Sequence, residues 1–359
     1  MPRVLILAAH RPNRSPSQRY RFEQYLPYLQ QHGFEFTWSP LLNQKDDAVF
    51  YAKGSFFKKV MILLKGHLQR RKDVNRFKDF DIIFIQREAS FFGSSHFEMC
   101  AHKSGKKVIF DFDDAIWLAD TSAGNKKWEW VKDPKKFNAN VSFANMVIAG
   151  NTYLADKAKE FTKAEVHIIP TTVDTNVHIP KWELRGKEKI TIGWSGSFST
   201  IKHFEEVVSV LKELNKKHPG KLQFKIVGDA NYRNEELGIN GIAWSIETEV
   251  NELNSFDIGI MPLPKDEWTK GKCGLKALTY MSCEVPVVMS GVGVNIEIAK
   301  DGCAMIANTK EEWMNALDEL IDDKSKREVL GKKGRQRVEE KYSVKANEEK
   351  YLKIFKAME

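Results

Sequence analysis

An α/β chain of two parallel-sheet halves is what this sequence predicts, and three observations predict it. Short apolar runs alternate with amphipathic stretches up to about residue 169, the alternation gives way to a polar segment, and a second alternating series begins at Ile190. Alternation of strand and helix patterns builds a parallel sheet with helices on both faces. A chain of 359 residues is long enough for two domains, each with its own core.

In the first half, Val4–Ala8 reads as a strand, Arg19–Gln31 as a helix and Phe34–Trp38 as the next strand after Gly33. Asp81–Gln86, Lys107–Asp111, Met146–Ala149 and Val166–Ile169 continue the strand series. The pattern changes at Pro170–Asp174, and the polar stretch Lys181–Glu188 reads as a linker. The second series runs through Ile190–Trp194, Phe224–Val227, Ile258–Met261, Val285–Val288 and Ala304–Ile306, and from Lys310 onward the chain reads as charged helix. Two such halves joined by a linker imply a cleft, and ligands of these sheets bind beyond the carboxyl ends of the strands.

Composition narrows the function classes. Hydrophobic content of 42% and charged content of 29% describe an ordinary globular protein. No run approaches the ~18 apolar residues of a membrane span. The opening residues read as a first strand and not as a secretory signal. Cys100, Cys273, Cys283 and Cys303 lack metal-ligand spacing, so reduced thiols and a cytoplasmic location are expected. The net charge of +8 attracts anions, which fits nucleotide substrates or an anionic membrane surface. No zinc-finger or RNA-recognition signature accompanies that charge, so no nucleic-acid partner is expected.

The most informative segment is Lys270–Val288. Gly271, Lys272 and Gly274 lead into a helical pattern with Leu275, Leu278 and Met281 on one stripe, and Pro286 ends it. A glycine loop at a helix start leaves backbone N–H groups exposed at the positive end of the dipole. Lys272 and Lys276 add full charges there, a combination that suits a diphosphate. In Gly193–His203 a strand ends in a second glycine loop, where Gly196, the hydroxyls of Ser197, Ser199 and Thr200, and Lys202 can face a phosphate. An ordinary capped turn, with Ser199 or Thr200 as the cap, explains the same residues. Asp229 ends the following strand in a Gly-Asp turn, and Trp244 offers either a face for a nucleobase or a core ring.

The densest acidic cluster, Asp111, Asp113 and Asp114, sits at the carboxyl end of a strand. One of these carboxylates can orient a sugar hydroxyl or act as a base, and Asp113 or Asp114 can equally cap a helix. Their number and spacing are weak evidence for a cation. Arg87 and Glu88 follow another strand, and Arg19 and Arg21 follow the first strand's loop, so all four point toward the same edge. An arginine there can hold phosphate or carboxylate, and exposed arginines solvating a helix start explain the same residues. Finally, Phe50–Arg76 mixes apolar and basic residues: such a helix either packs on the sheet or lies in a membrane interface.

The order of motifs resembles the GT-B glycosyltransferases, in particular the family-4 retaining enzymes that use nucleotide-sugar donors. The resemblance is carried by Asp111-Phe-Asp-Asp-Ala-Ile-Trp-Leu118, Gly150-Asn-Thr-Tyr-Leu154, Pro170-Thr-Thr-Val-Asp174, Ile192-Gly-Trp-Ser-Gly-Ser197, Phe256-Asp-Ile-Gly-Ile-Met-Pro-Leu263 and Gly271-Lys-Cys-Gly-Leu-Lys276. Glu312, Trp313, Arg327, Gly334, Arg335, Tyr342 and Ser343 continue it to the end of the chain. It implies two Rossmann-like domains facing each other across a cleft: residues 1–172 for the acceptor, residues 173–342 for the donor, and a helix over 343–359 returning to the first domain.

It further implies that Gly196 is a phosphate-loop glycine and that Lys202 neutralises the donor diphosphate. Ser197 stands where such enzymes usually carry an arginine, a charge that Lys276 or Lys272 can replace. The family commonly has two glutamates with seven residues between them, the first against the sugar and the second against the ribose. Gly271 and Thr279 occupy those places here, leaving the Thr279 hydroxyl for the ribose.

The expected activity is transfer of a sugar from a UDP- or GDP-sugar to a hydroxyl of a glycan or lipid-linked acceptor, in surface polysaccharide or glycoconjugate synthesis. Donor contacts are expected at Gly196, Ser197, Lys202, Asp229, Trp244, Lys272, Gly274, Lys276 and Thr279. Acceptor contacts are expected at Arg19, Arg21, Arg87, Glu88 and Asp111, with Asp113, Asp114 and Lys276 at the reacting centre. The fold usually needs no metal, and no cofactor is expected. The rivals are a non-catalytic sugar-nucleotide-binding partner, suggested by the missing glutamates, and a sugar-nucleotide epimerase of the same fold. Location at the inner face of the membrane, through peripheral contact with anionic lipid, goes with the charge.

Overall fold

The computed structural model describes residues 1–52, 54–118, 135–186 and 188–359. They form two compact units, Met1–Thr171 with Glu348–Glu359, and Thr172–Asn347. Each is a Rossmann-like α/β unit around a parallel sheet.

The first sheet contains β1 (Arg3–His10), β2 (Glu35–Leu42), β3 (Ile82–Gln86), β4 (Lys107–Phe112), β5 (Met146–Ala149) and β6 (Glu165–Ile168), in the order β2-β1-β3-β4-β5-β6. Every pairing in it is parallel. Val4–Ala8 and all of β3 are buried, as strands covered on both faces must be. The strand order reverses between β1 and β3, so the carboxyl ends of these two strands flank the position where doubly wound sheets take ligands.

The second unit holds β7 (Ile190–Ser195), β8 (Leu222–Val227), a two-residue hairpin β9 (Arg233–Asn234) and β10 (Ile239–Asn240), then β11 (Ile258–Met261), β12 (Val287–Met289) and β13 (Met305–Ile306). Its sheet runs β13-β12-β11-β7-β8, again parallel, and reverses between β7 and β11. Two glycines permit its packing. A Cβ on Gly193 would come within 2.1 Å of the Phe256 ring, and one on Gly259 within 2.5 Å of Tyr280.

One expected element differs. The predicted helix over 19–31 is three pieces: Pro16–Arg19, a 3-10 turn Glu23–Tyr25, and Leu26–Gln31. Pro27 lacks an N–H and is tolerated only in a helix's first turn, so the last piece must start beside it. The break lets Tyr25 turn inward, fully buried, onto Tyr351, with ring centroids 4.2 Å apart.

Tyr351 and Phe355 belong to the helix Val344–Ala357, and Phe355 packs against Phe34, Phe36 and Phe84. Beside Tyr351 lies an ion pair without solvent exposure. The Arg21 guanidinium donates to both Asp111 oxygens, at 2.5 and 3.4 Å, and to the Ile169 carbonyl. Removing one partner of such a pair leaves a buried uncompensated charge, at a cost of about 3–5 kcal/mol. Arg21→Leu should lower the unfolding free energy by that much in urea titration, and the double variant Arg21→Leu/Asp111→Asn by less. An unchanged midpoint for the single variant would contradict a structural role.

Candidate active site

In the second unit, β7 passes through the buried Trp194 to Ser195, then into the loop Gly196–Ser197, a turn Phe198–Thr200 and the helix Ile201–Glu205. Gly196 is wedged: a Cβ there would lie 2.5 Å from the Trp194 ring and 2.8 Å from Cε of Lys276. Gly228, at φ +116°, presses on the Gly196 carbonyl from the end of β8, and a Cβ on it would stand 2.0 Å from that oxygen. The Gly196 N–H donates to Val227 (2.9 Å) and the Ser195 N–H to the buried Tyr280 hydroxyl (2.7 Å). The loop backbone is therefore fixed from both sides.

Tyr280 and Lys276 share the helix Leu275–Ser282. Gly274 starts it at φ +71°, a left-handed conformation that favours glycine, and no side chain caps it. Lys276 reaches back so that its Nζ is 5.3 Å from the Trp194 ring centroid, and Lys272 lies 4.6 Å from that of Trp268. Lys202 is exposed on the helix after the loop.

His203, the next residue, was not expected among the site residues. It is 3% exposed, and its Nδ1 has no hydrogen-bond partner. Burial pulls its pKa down to about 4; the charges of Lys276, Lys202 and Lys272 act in the same direction, and Asp266 opposes them. Three lysines from two segments thus bear on one neutral imidazole beside the Gly196 loop.

The other expected donor contacts fall as follows. Ser197 is exposed, its Oγ 2.8 Å from that of Ser199. The Thr200 hydroxyl donates to the Ser197 carbonyl, so the helix has no side-chain cap, contrary to the capped turn that the sequence suggested. Thr279 is buried, with its hydroxyl donating to the Lys276 carbonyl at 2.9 Å. The Asp229 carboxylate accepts the Asn231 N–H at 3.0 Å, and Trp244 is half-buried.

In the first unit the acidic cluster is organised by one arginine. Arg87 adopts φ +61° just past β3, and its N–H donates to the Asp111 carbonyl (2.7 Å). Its guanidinium donates to Asp113 at 2.7 Å and stands 3.7 Å from Asp114. Asp114 also accepts the Ala115 N–H at 3.1 Å, within a turn and not at a helix start. Arg21 and Asp111, read as acceptor contacts, are instead buried against each other because the broken helix directs Arg21 inward. Glu88 accepts from Lys136 (3.1 Å), which also donates to the carbonyls of Ser90 and Phe92. Arg19 lies over the Tyr20 ring.

The sequence reading also missed a cluster at the end of β1. His10 Nε2 is 3.2 Å from the Tyr51 hydroxyl, with the two rings stacked. Asp47, on the same helix as Tyr51, accepts from Arg11 at 3.0 Å and Arg14 at 2.5 Å. Burial pushes the Asp47 carboxyl up, but these two arginines outweigh it and hold the group below its ordinary range. Burial lowers the His10 pKa to about 4, with Arg14, Arg87 and Arg11 adding to the effect and Asp47 opposing it. Only its position at the end of the first strand, next to the reversal of strand order, could have singled out His10.

A glycine loop and uncapped helix surrounded by lysines, on one of two Rossmann-like units, are features of a nucleotide-sugar enzyme, and comparison with known proteins gives the class. Residues 189–323, which contain the whole lysine cluster, match the family model described as glycosyl transferases group 1. No curated protein matches the chain.

Among solved structures, the sucrose-phosphate synthase of Thermosynechococcus elongatus aligns with a TM-score of 0.73 at 13% identity, covering 100% of this chain and 99% of that one. A glycosyltransferase from Rickettsia africae gives 0.68 at 14% identity, covering 99% and 98%. Anabaena HepE, solved with UDP and glucose, gives 0.66 at 12%, covering 99% and 100%. The fold is GT-B and the protein is a glycosyltransferase.

Both depressed histidines have a consequence for stability. A group that stays neutral in the folded state down to about pH 4, but protonates near 6.5 when unfolded, favours unfolding as pH falls through that window. The thermal midpoint should therefore drop between pH 6.5 and 4, and the drop should be shallower in His203→Asn than in the wild type. Parallel curves would show that His203 is not held neutral.

Proposed function

We propose that the protein transfers a sugar, with retention of configuration, from a UDP- or GDP-sugar to a hydroxyl of a glycan or lipid-linked acceptor, in surface polysaccharide or glycoconjugate synthesis. The bond from the sugar's C1 to the diphosphate breaks, a bond from C1 to the acceptor oxygen forms, and the acceptor proton is released. The observation that carries this reading is the Gly196 loop packed against Lys276, with the charges of Lys276, Lys202 and Lys272 all acting on the buried His203 beside it.

In this reading the second unit takes the donor. Negative charge grows on the departing diphosphate, and donors fixed in advance stabilise it without reorganisation. Lys276 and Lys202 act in that role, with Lys272 supplying the charge that Ser197 does not, and the backbone N–H groups after Gly274 completing the cradle. Gly271 and Thr279 supply no carboxylate to sugar or ribose, so Asp229 and Trp244 are the remaining side chains for the nucleoside end. HepE was solved with UDP-glucose, which favours the uridine nucleotide for a chain of the same fold.

The first unit takes the acceptor at the carboxyl edge of its sheet, where Asp113 and Asp114 orient the hydroxyl, Arg87 holds both carboxylates, and Arg19 and Glu88 flank them. Lysine charge takes the place that a divalent cation has in other transferases, so no resident metal is required. The protein works at the inner face of the membrane as a peripheral protein.

Lys276→Ala should lower kcat by about 10²-fold, on the scale of losing one preorganised donor to a developing anion, with an unchanged thermal midpoint. Donor turnover near the wild-type rate would remove Lys276 from the diphosphate site. Chelation with EDTA should leave the rate unchanged; loss restored by added magnesium would overturn the metal-free reading. A bound diphosphate also screens the lysines that depress His203. Saturating UDP should therefore raise the His203 pKa from about 4 in an NMR titration, and an unshifted value would separate His203 from the donor site.

A further inference from the structure

The helix Phe56–Arg76 is 21 residues long and has two apolar faces. Its inner face packs on the unit through Ile62, Leu63 and Gly66, with Gly66 against Leu41 and with Arg70 and Asp73 paired beneath. Spacings of four, three and four residues put Phe57, Met61, Leu64 and Leu68 in one row on the opposite side. These four are exposed by 83, 56, 47 and 56%.

The row is bordered by Lys58, Lys65, Arg71 and Lys72, all exposed. The only acidic residue in the helix, Asp73, is on the buried side. Lys65 lies 3.3 Å from Asp46 on the neighbouring helix, and the other three extend the basic border. Beside Leu64 the row runs into an apolar groove of about 520 Å³, lined by His67, Phe92 and Phe97 among others.

We infer that this outer face docks on an anionic lipid bilayer. A basic border around an apolar row is the signature of a helix lying in the plane of a membrane interface: the apolar side chains enter the acyl boundary while the cations meet the headgroups. Charge selects the occupant. A second copy of the same face would set Lys58, Arg71 and Lys72 against their equivalents, whereas an acidic headgroup layer complements them. The groove beside Leu64 extends the apolar contact for an acyl chain. The inference gives a surface to the peripheral placement proposed above and rests on it, but it requires nothing of the transfer reaction.

Flotation of the full-length protein with vesicles tests it. The wild type should float with vesicles of mixed phosphatidylglycerol and phosphatidylcholine, less so as salt is raised, and not with phosphatidylcholine alone. Phe57→Ser/Leu64→Ser should weaken binding by at least about tenfold. Lys58→Gln/Lys72→Gln should weaken it on the order of fivefold per residue. Because all four side chains are exposed, thermal midpoints should match the wild type.

If the wild type floats and Phe57→Ser/Leu64→Ser floats equally well, this face is overturned while peripheral placement stands. If the wild type binds neither vesicle, both fall. A concentration-dependent dimer in sedimentation that disappears in Phe57→Ser/Leu64→Ser would assign the face to a second copy and overturn lipid docking.

Discussion

A guanidinium without solvent exposure sets the carboxyl edge of the first sheet. Arg70 donates to the Ala8 carbonyl on β1 (2.9 Å), to the Ser39 carbonyl and hydroxyl on β2 (3.0 Å each), to the Ala89 carbonyl past β3 (2.5 Å) and to Asp73 on its own helix (2.8 Å). Three backbone segments and one helix therefore share a single charge. A buried cation is tolerable only when its donors are met in this way. His10 lies two residues beyond Ala8 and Arg87 two before Ala89, so both clusters at the candidate acceptor edge hang from this network. The same contact clamps the helix Phe56–Arg76 by its inner face and holds its outer row of apolar side chains in place.

In the second unit one short helix combines the supporting and the charged roles. Tyr280 accepts the Ser195 N–H beneath the glycine loop, Lys276 covers Gly196 from above, and Gly274 leaves the helix start uncapped. The glycines at 193, 196, 228 and 259 let rings and backbone approach more closely than any Cβ would allow. The cluster's positive field is thus built on a rigid loop, which is the condition for electrostatic stabilisation without reorganisation.

The strands were legible because buried parallel strands are short apolar runs, and Lys310–Asp322 and Lys324–Arg337 were legible as charged helix. The glycine–lysine segment marked the candidate anion site because little else explains lysines at a helix mouth. What stayed hidden depended on partners distant in sequence. Nothing local distinguishes Arg21, which finds Asp111 and disappears into the core, from Arg87, which stays at the edge. His10 and Asp47 are brought together only by folding, and the Thr279 hydroxyl is claimed by a carbonyl of its own helix. For Phe50–Arg76 the packed alternative holds for the inner face of the helix Phe56–Arg76, while the outer face exposes apolar residues that no local pattern could assign to a partner.

The helix that carries Tyr351 and Phe355 supplies core side chains to a unit whose other residues end at Thr171. Synthesis proceeds from the amino end, so the first sheet emerges complete while the Tyr25 ring and the Phe34–Phe84 cluster still lack their packing partners. The whole second unit is made before those partners arrive. The unit that starts first is therefore the one that finishes last, and until then its unfilled apolar seam is the part of the nascent chain most open to chaperones or to misassociation.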